Sequence, residues 1–274
     1  MDYKIIASDL DGTLLWDGED ISPENWEAIA QLKEQGVHFV PASGRAFTEM
    51  PPALRESPLI RYYITSDGTT VYDKETGTTH ELPLSREKGH AILDVLFQFP
   101  MCLMLHTDAD SFVDAAHHNA AAYNHFQMND RWTSYALAYE KTVPDIRSFA
   151  YSVDRIQALV PFFRNKTDRD YCKEYLSKDP ELIIAETDPY NIEIFSATAG
   201  KGNALMLLAD LLGVDRKATI AVGDSTNDST MIQAAGLGLV MKNGVPELKA
   251  IADREVCHFK DHVAKYILEN IIGK

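Results

Sequence analysis

Strand-like and helix-like segments alternate strictly over roughly the first ninety residues and again after position 196, with a long stretch of different texture between them. Few architectures accept that order. Strict alternation requires parallel strands joined by crossover helices, and so a sheet buried on both faces. The first strand is expected over residues 4–8. Ser22-Pro23 then supplies an N-cap and a first helical residue for a helix that stops at Gly36. A second buried strand is expected over 37–42 and a third over 62–65. A hairpin follows, 70–72 against 79–82, across Lys74-Glu75-Thr76-Gly77.

Between residues 84 and 195 the helical patterns (86–97, 117–128, 168–177) mix with apolar strand-like runs at 101–105, 156–162, 182–185 and 192–195. This mixture predicts an α+β unit, an antiparallel sheet with helices on one face. Alternation then returns: a helix over 201–212 closed by Gly213, a strand over 218–222, a helix over 227–235, a strand over 237–241 and two short helices. The expectation is one doubly wound α/β domain, 1–83 with 196–274, interrupted by an inserted α+β domain, 84–195. Ligands of such sheets bind at the carboxyl ends of the strands, which the insert would overlie.

Composition narrows the partners. With 274 residues and a net charge of −15, the chain lacks the basic excess that nucleic acid or an anionic membrane surface requires. Cys102, Cys172 and Cys257 are far apart and odd in number, which suits a reducing cytoplasm better than a disulfide framework. The N-terminus has no basic n-region, and the most apolar stretch, 91–105, is broken by Asp94, Gln98 and Pro100. Neither a signal peptide nor a membrane span is expected.

Four short motifs fall at comparable places in this pattern. Asp9-Leu10-Asp11-Gly12-Thr13 follows the first strand and Ser43-Gly44-Arg45 the second. Lys201-Gly202 opens a helix, and Gly223-Asp224-Ser225-Thr226-Asn227-Asp228 follows a late strand. Each alone reads as an ordinary turn, a solvated charge or a helix cap. Together they bring carboxylates, a lysine and a hydroxyl to the carboxyl edge of one sheet. Two carboxylates separated by one residue offer hard oxygen ligands, a nucleophile and a proton carrier.

In this order and with this insert, the motifs resemble the haloacid dehalogenase superfamily of phosphohydrolases, in its Cof-type branch with a type IIB cap. The resemblance covers essentially the whole chain and implies a mostly parallel, Rossmann-like core. It implies that Asp9 attacks phosphorus to give an aspartyl-phosphate. Asp11 then serves as general acid to the leaving alkoxide and as base for the hydrolytic water. The Asp9 side chain, the Asp11 carbonyl and Asp224 would hold Mg²⁺, with Asp228 a ligand through water or an orienting group. Ser43, Gly44, Lys201 and Asn227 would bind the phosphoryl oxygens. Hydrolysis of a small phosphorylated metabolite by a cytoplasmic monomer or homodimer is the implied activity. A phosphomutase on the same fold shares all four motifs and stays open. A phospho-acceptor signalling module fits less well, because such modules lack a hundred-residue insert.

Two positions depart from the family pattern. Asp67-Gly68 stands where Asn-Gly is usual, and Asp261-His262-Val263 where Asp-Gly-Val is usual. Asp67, with Arg45, is a candidate substrate contact or else a left-handed turn residue. His262 puts the conformation of the last loop in question. His106, Asp108, Asp110, Asp114, His117 and His118 invite a metal-site reading. Their spacing is poor for one, and a loop followed by a solvated helix is expected instead. Tyr123, Phe126, Trp132 and Tyr135 read as core of the inserted domain.

Overall fold

In the computed structural model, which describes residues 2–16, 19–107 and 110–273, strand β1 (Ile5–Ser8) is fully buried. The first helix, Pro23–Glu34, begins where expected, because the Ser22 hydroxyl accepts from the Asn25 N–H and Pro23 presets the first helical φ. Strands β2 (His38–Pro41), β3 (Tyr62–Thr65), β4 (Thr70–Asp73) and β5 (Thr78–Glu81) follow. The last three form one sheet in the order β3-β4-β5, with β3 and β4 antiparallel, joined to the end of β2 by a parallel bridge between Ala42 and Ile64.

The chain then builds a second compact unit, residues 81–198, before returning to complete the first, residues 1–80 and 199–274. Among the described residues the inserted unit has six strands: β6 (Met101–Thr107), β7 (Asp110–Asp114), β8 (Lys141–Val143), β9 (Ala158–Phe163), β10 (Leu182–Ala185) and β11 (Glu193–Ser196). They lie in the order β10-β11-β9-β6-β7-β8, antiparallel apart from the β7–β8 pair.

Several expectations fail in this unit. Residues 110–114 form a strand and not a loop: Ser111 and Val113 turn inward while Phe112 packs on the opposite face, a period-two pattern too short to stand out. Helices cover both faces of the sheet. Leu103, Leu105, Leu159 and Phe163 pack with Ile92, Leu96, Ile146 and Cys172 on one side. On the other, Trp132 meets Phe162 with ring centroids 6.3 Å apart, and Glu140 accepts from the Ser111 hydroxyl. The helix expected from residue 117 begins at Ala120, because Asn119 caps it by accepting from the Ala122 N–H. His117 and His118 therefore precede the helix. Tyr123 and Phe126 are buried as expected, whereas Trp132 and Tyr135 are partly exposed. Asp108 lies outside the described residues.

The returning chain forms the helix Lys201–Leu212, closed by Gly213 in the left-handed conformation. It then adds β12 (Thr219–Gly223), β13 (Leu237–Val240) and β14 (Arg254–Glu255). With β1 and β2 these complete a five-stranded, wholly parallel sheet in the order β14-β13-β12-β1-β2. Apolar clusters cover both of its faces. Ile6, Val222 and Leu239 pack toward the helix Pro23–Glu34 and the C-terminal segment, while Ile5, Ala7, Ala221 and Val240 pack toward Lys201–Leu212. Strand order reverses beside β1, so the ends of β1 and β12 open a crevice at the carboxyl edge. No helix among the described residues is long and apolar enough to cross a membrane.

Candidate active site

All four motifs reach the carboxyl edge of the five-stranded sheet and belong to the first unit. Asp9 follows β1 directly, its N–H donating to the Val222 carbonyl of the neighbouring strand. The chain then turns tightly through Leu10–Leu14, with Gly12 at φ 82°. A side chain at Gly12 would meet the Asp224 carboxylate at 2.5 Å, so glycine is required by the close approach as well as by the turn. Thr13 is fully buried, and its hydroxyl donates to Asp224 Oδ1 at 3.1 Å.

Lys201 is the centre of the cluster. Its Nζ lies 2.7 Å from Asp9 Oδ1 and 2.7 Å from Asp228 Oδ1, and the side chain is fully buried. The other oxygen of Asp228 accepts from the backbone N–H groups of Asp224 and Ser225, at 3.0 and 3.1 Å. Both oxygens of Asp228 are thus engaged, which suits it to orienting Lys201 and Asp224.

Ser43 is buried after β2, its N–H bonded to the Ile64 carbonyl and its carbonyl to the Asp67 N–H. Gly44 lies against Asp67, whose Oδ2 is 2.9 Å from where a Cβ would stand. The Asn227 amide donates to Asp67 Oδ1 at 3.2 Å and accepts from the Ser225 hydroxyl at 2.5 Å. Arg45 grips Asp11 with two bonds, Nη2 to Oδ1 at 3.0 Å and Nε to Oδ2 at 3.2 Å.

The turn carrying Asp67 also braces Lys201. Ser66, Asp67 and Gly68 all have positive φ, at 47°, 52° and 86°. Asp67 is therefore a left-handed turn residue whose carboxylate also reaches Asn227. A Cβ on Gly68 would lie 2.2 Å from the Gly200 carbonyl carbon and 2.4 Å from the Lys201 nitrogen. Gly68→Ala combines backbone strain with a collision against main chain and is expected to cost about 3 kcal/mol. Gly77, also left-handed but with nothing within 4 Å, provides the comparison. Gly77→Ala should cost about 1 kcal/mol, the strain alone, in urea-melt midpoints.

Sequence reasoning passed over Asn243, whose amide donates to the Gly12 carbonyl at 2.8 Å and accepts from the Phe259 N–H at 3.1 Å. It ties the first motif to the C-terminal loop. Its position in a turn just after β13, at the same sheet edge, was the available signal. His262 adopts the left-handed conformation usual for glycine there. It is held by stacking on Trp16 and a 2.8 Å bond to Ser22, which fix the side chain in that loop.

The electrostatics are those of a crowded acidic site. Burial, then repulsion from Asp228, raises Asp9 well above the usual carboxylate range. Burial followed by the same neighbour pushes Asp224 up to about 6. Burial alone would lower Lys201, but Asp228, Asp9 and Asp67 more than reverse that, so it stays protonated.

One oxygen from each of Asp9, Asp224 and Asp228 lies within 4.8 Å of the others. A hard divalent cation fits such a set of oxygen donors, whose excess negative charge Lys201 alone does not offset. A carboxyl whose folded pKa exceeds its unfolded value lowers stability as it ionises. For Asp224 the loss begins above the ordinary carboxylate value of 3.8 and is complete above about 6. Adding Mg²⁺ is therefore expected to raise the melting temperature by several degrees at pH 7.5, by mass action, and by much less at pH 5. Asp224→Asn should largely remove that difference in a thermal-shift titration.

Residues 6–267 match the family model of haloacid dehalogenase-like hydrolases. A 5-amino-6-(5-phospho-D-ribitylamino)uracil phosphatase of Bacillus subtilis (strain 168) is 30% identical over 259 residues, covering 90% of each chain. A haloacid dehalogenase-like hydrolase from B. subtilis superimposes with a TM-score of 0.82 at 24% identity, covering 98% of this chain and 99% of the other. A subclass IIB sugar phosphatase does so with a TM-score of 0.80 at 20% identity, covering 97% and 98%. The fold, the motif order and the family match lead to one conclusion: the chain belongs to the haloacid dehalogenase-like hydrolases and is a phosphatase of that family.

Proposed function

We propose that the protein is a Mg²⁺-dependent phosphomonoesterase acting on a small phosphorylated metabolite, a sugar phosphate or a phosphorylated cofactor intermediate, through an aspartyl-phosphate. The observation that carries this reading is the buried Lys201 ammonium, 2.7 Å from both Asp9 and Asp228 at the sheet's carboxyl edge. A fixed cation beside a carboxylate suits phosphoryl transfer, which depends mainly on positioning and on neutralising negative charge.

Asp9 is the nucleophile: its carboxylate oxygen bonds to phosphorus as the bond to the leaving alkoxide breaks. Asp11 gives its proton to that alkoxide, which departs as the alcohol. Asp11 then takes a proton from the water that attacks the aspartyl-phosphate, yielding inorganic phosphate and regenerating Asp9. Lys201, Ser43, the Gly44 backbone and Asn227 bind the phosphoryl oxygens. The carboxylates of Asp9 and Asp224, with the Asp11 carbonyl, would hold Mg²⁺, and Asp228 orients that set. The ion, when bound, neutralises charge between the nucleophile and the phosphoryl group.

The inserted unit, 81–198, carries none of the motif residues, and we assign it selection of the leaving group. A ribityl phosphate substrate in the relative's name supports a polyol or sugar phosphate here. A panel of phosphorylated metabolites, assayed for released phosphate, is expected to yield one or a few terminal phosphomonoesters as preferred substrates. Chelation should stop release and Mg²⁺ should restore it. Full activity after thorough chelation, or no release from any member of the panel, would remove the proposal.

A further inference from the structure

The Arg45–Asp11 pair has a geometry that does more than balance charge. The guanidinium presents its Nε–Nη2 edge to both carboxylate oxygens, the fork arrangement that fixes a carboxylate in orientation as well as position. That edge is also the one with which an arginine would grip a phosphate in the same two-bonded way. Arg45 is itself anchored from behind. Its N–H donates to Ser43 Oγ at 3.2 Å, its carbonyl accepts from the Ser66 N–H, and Nη1 reaches the Glu49 carbonyl at 3.5 Å. Glu49 in turn accepts from the Ala46 N–H at 2.6 Å, closing the short turn that carries the arginine. The Arg45 side chain is 12% exposed and that of Asp11 is 29% exposed, so the carboxylate remains reachable while its clamp is largely enclosed.

We infer that Arg45 is a positioning residue for Asp11, holding its carboxylate where it exchanges protons with the leaving group and the hydrolytic water. The inference rests on the reading of Asp11 as the acid–base group. Held in that orientation, the carboxylate accepts the water's proton while the water oxygen bonds to phosphorus and the Asp9–phosphorus bond breaks. Asp11 delivers that proton to the bridging oxygen of the next substrate as its phosphorus–oxygen bond breaks. Without the fork, Asp11 samples other rotamers, and both transfers lose their geometry.

Arg45→Gln and Arg45→Lys, the second retaining the charge and stem but not the planar fork, are compared using 4-nitrophenyl phosphate. Nitrophenolate leaves without a proton, so nitrophenol release on the first turnover should persist. Steady-state kcat, which needs the water's proton removed, should fall between about ten- and a hundredfold in Arg45→Gln and less in Arg45→Lys. KM and the inhibition constant of inorganic phosphate should stay within about threefold of the parent values. Adding Arg45→Gln to Asp11→Asn should cause no further loss, since the arginine acts through the aspartate. A tenfold rise in KM or in the phosphate inhibition constant with kcat retained would make Arg45 a substrate ligand and overturn the inference. Multiplying losses in the double variant would overturn it too. Asp11→Asn turning over at the parent rate would instead remove the acid–base reading, and the inference with it.

Discussion

Asp9→Asn is expected to lower kcat by at least about 10⁴-fold while leaving the protein as stable as the parent or more so. The catalytic loss follows from the chemistry: an amide lacks the nucleophilic oxygen that bonds to phosphorus, and single nucleophile replacements commonly remove nearly all of an enzyme's advantage. The stability result follows from the environment. Asp9 is enclosed, and burial with repulsion from Asp228 raises its pKa, so its ionised form weakens the fold at neutral pH. Asn preserves the shape and removes that charge. Lys201 retains Asp228 as its partner at 2.7 Å. Kinetic assays paired with urea melts at pH 7.5 check both halves. Substantial activity, or a large drop in the urea midpoint, would contradict the assignment.

Lys201→Met is expected to damage fold and function together. The ammonium is fully buried between two carboxylates, and removing one partner from a buried ionic cluster costs about 3–5 kcal/mol. Losing a fixed donor to the phosphoryl oxygens should also lower kcat about 10³-fold. The stability deficit depends on pH in a definite direction. Lys201 itself does not titrate between pH 5 and 8, since the surrounding carboxylates raise its pKa. Asp9 and Asp224, which stay behind, have pKa values raised by burial, so their penalty grows as pH rises above the ordinary carboxylate range. The deficit should therefore be largest near pH 8 and smaller at pH 5. Adding Asp228→Asn should recover part of the stability and none of the activity, which separates the structural role of the lysine from the catalytic one.

Much of the site was legible because each motif is local. Asp9, Ser43 and Asp224 stand one or two residues beyond apolar strands, and Lys201 opens a helix. Their arrival at one sheet edge follows from the βα alternation alone. Their partners were not legible. Lys201 meets Asp9 across 192 positions, and Arg45 meets Asp11 across 34, separations at which no periodicity operates. Asn243 escaped for the same reason, since its hydrogen bond to Gly12 spans 231 positions. In the inserted unit, the apolar runs marked β6 and β9 but not which sheet face a given helix would cover. Strand β7 is five residues bounded by aspartates, and tertiary pairing with β6 decides its conformation over local propensity. At positions 67 and 262, where the resemblance led to an expectation of Asn and Gly, the backbone is left-handed. Bonds to Asn227 and Ser22 show how the larger side chains are accommodated.

The account depends most on Asp9 forming the bond to phosphorus. Acid quenching during turnover of a preferred substrate with Mg²⁺, followed by borohydride reduction and peptide mass spectrometry, tests that bond directly, because borohydride converts an aspartyl-phosphate to homoserine. Homoserine should appear at position 9, and it should disappear when substrate or Mg²⁺ is withheld. Homoserine at position 11, or continued turnover with Asp9 recovered unmodified in every quench, would contradict the account.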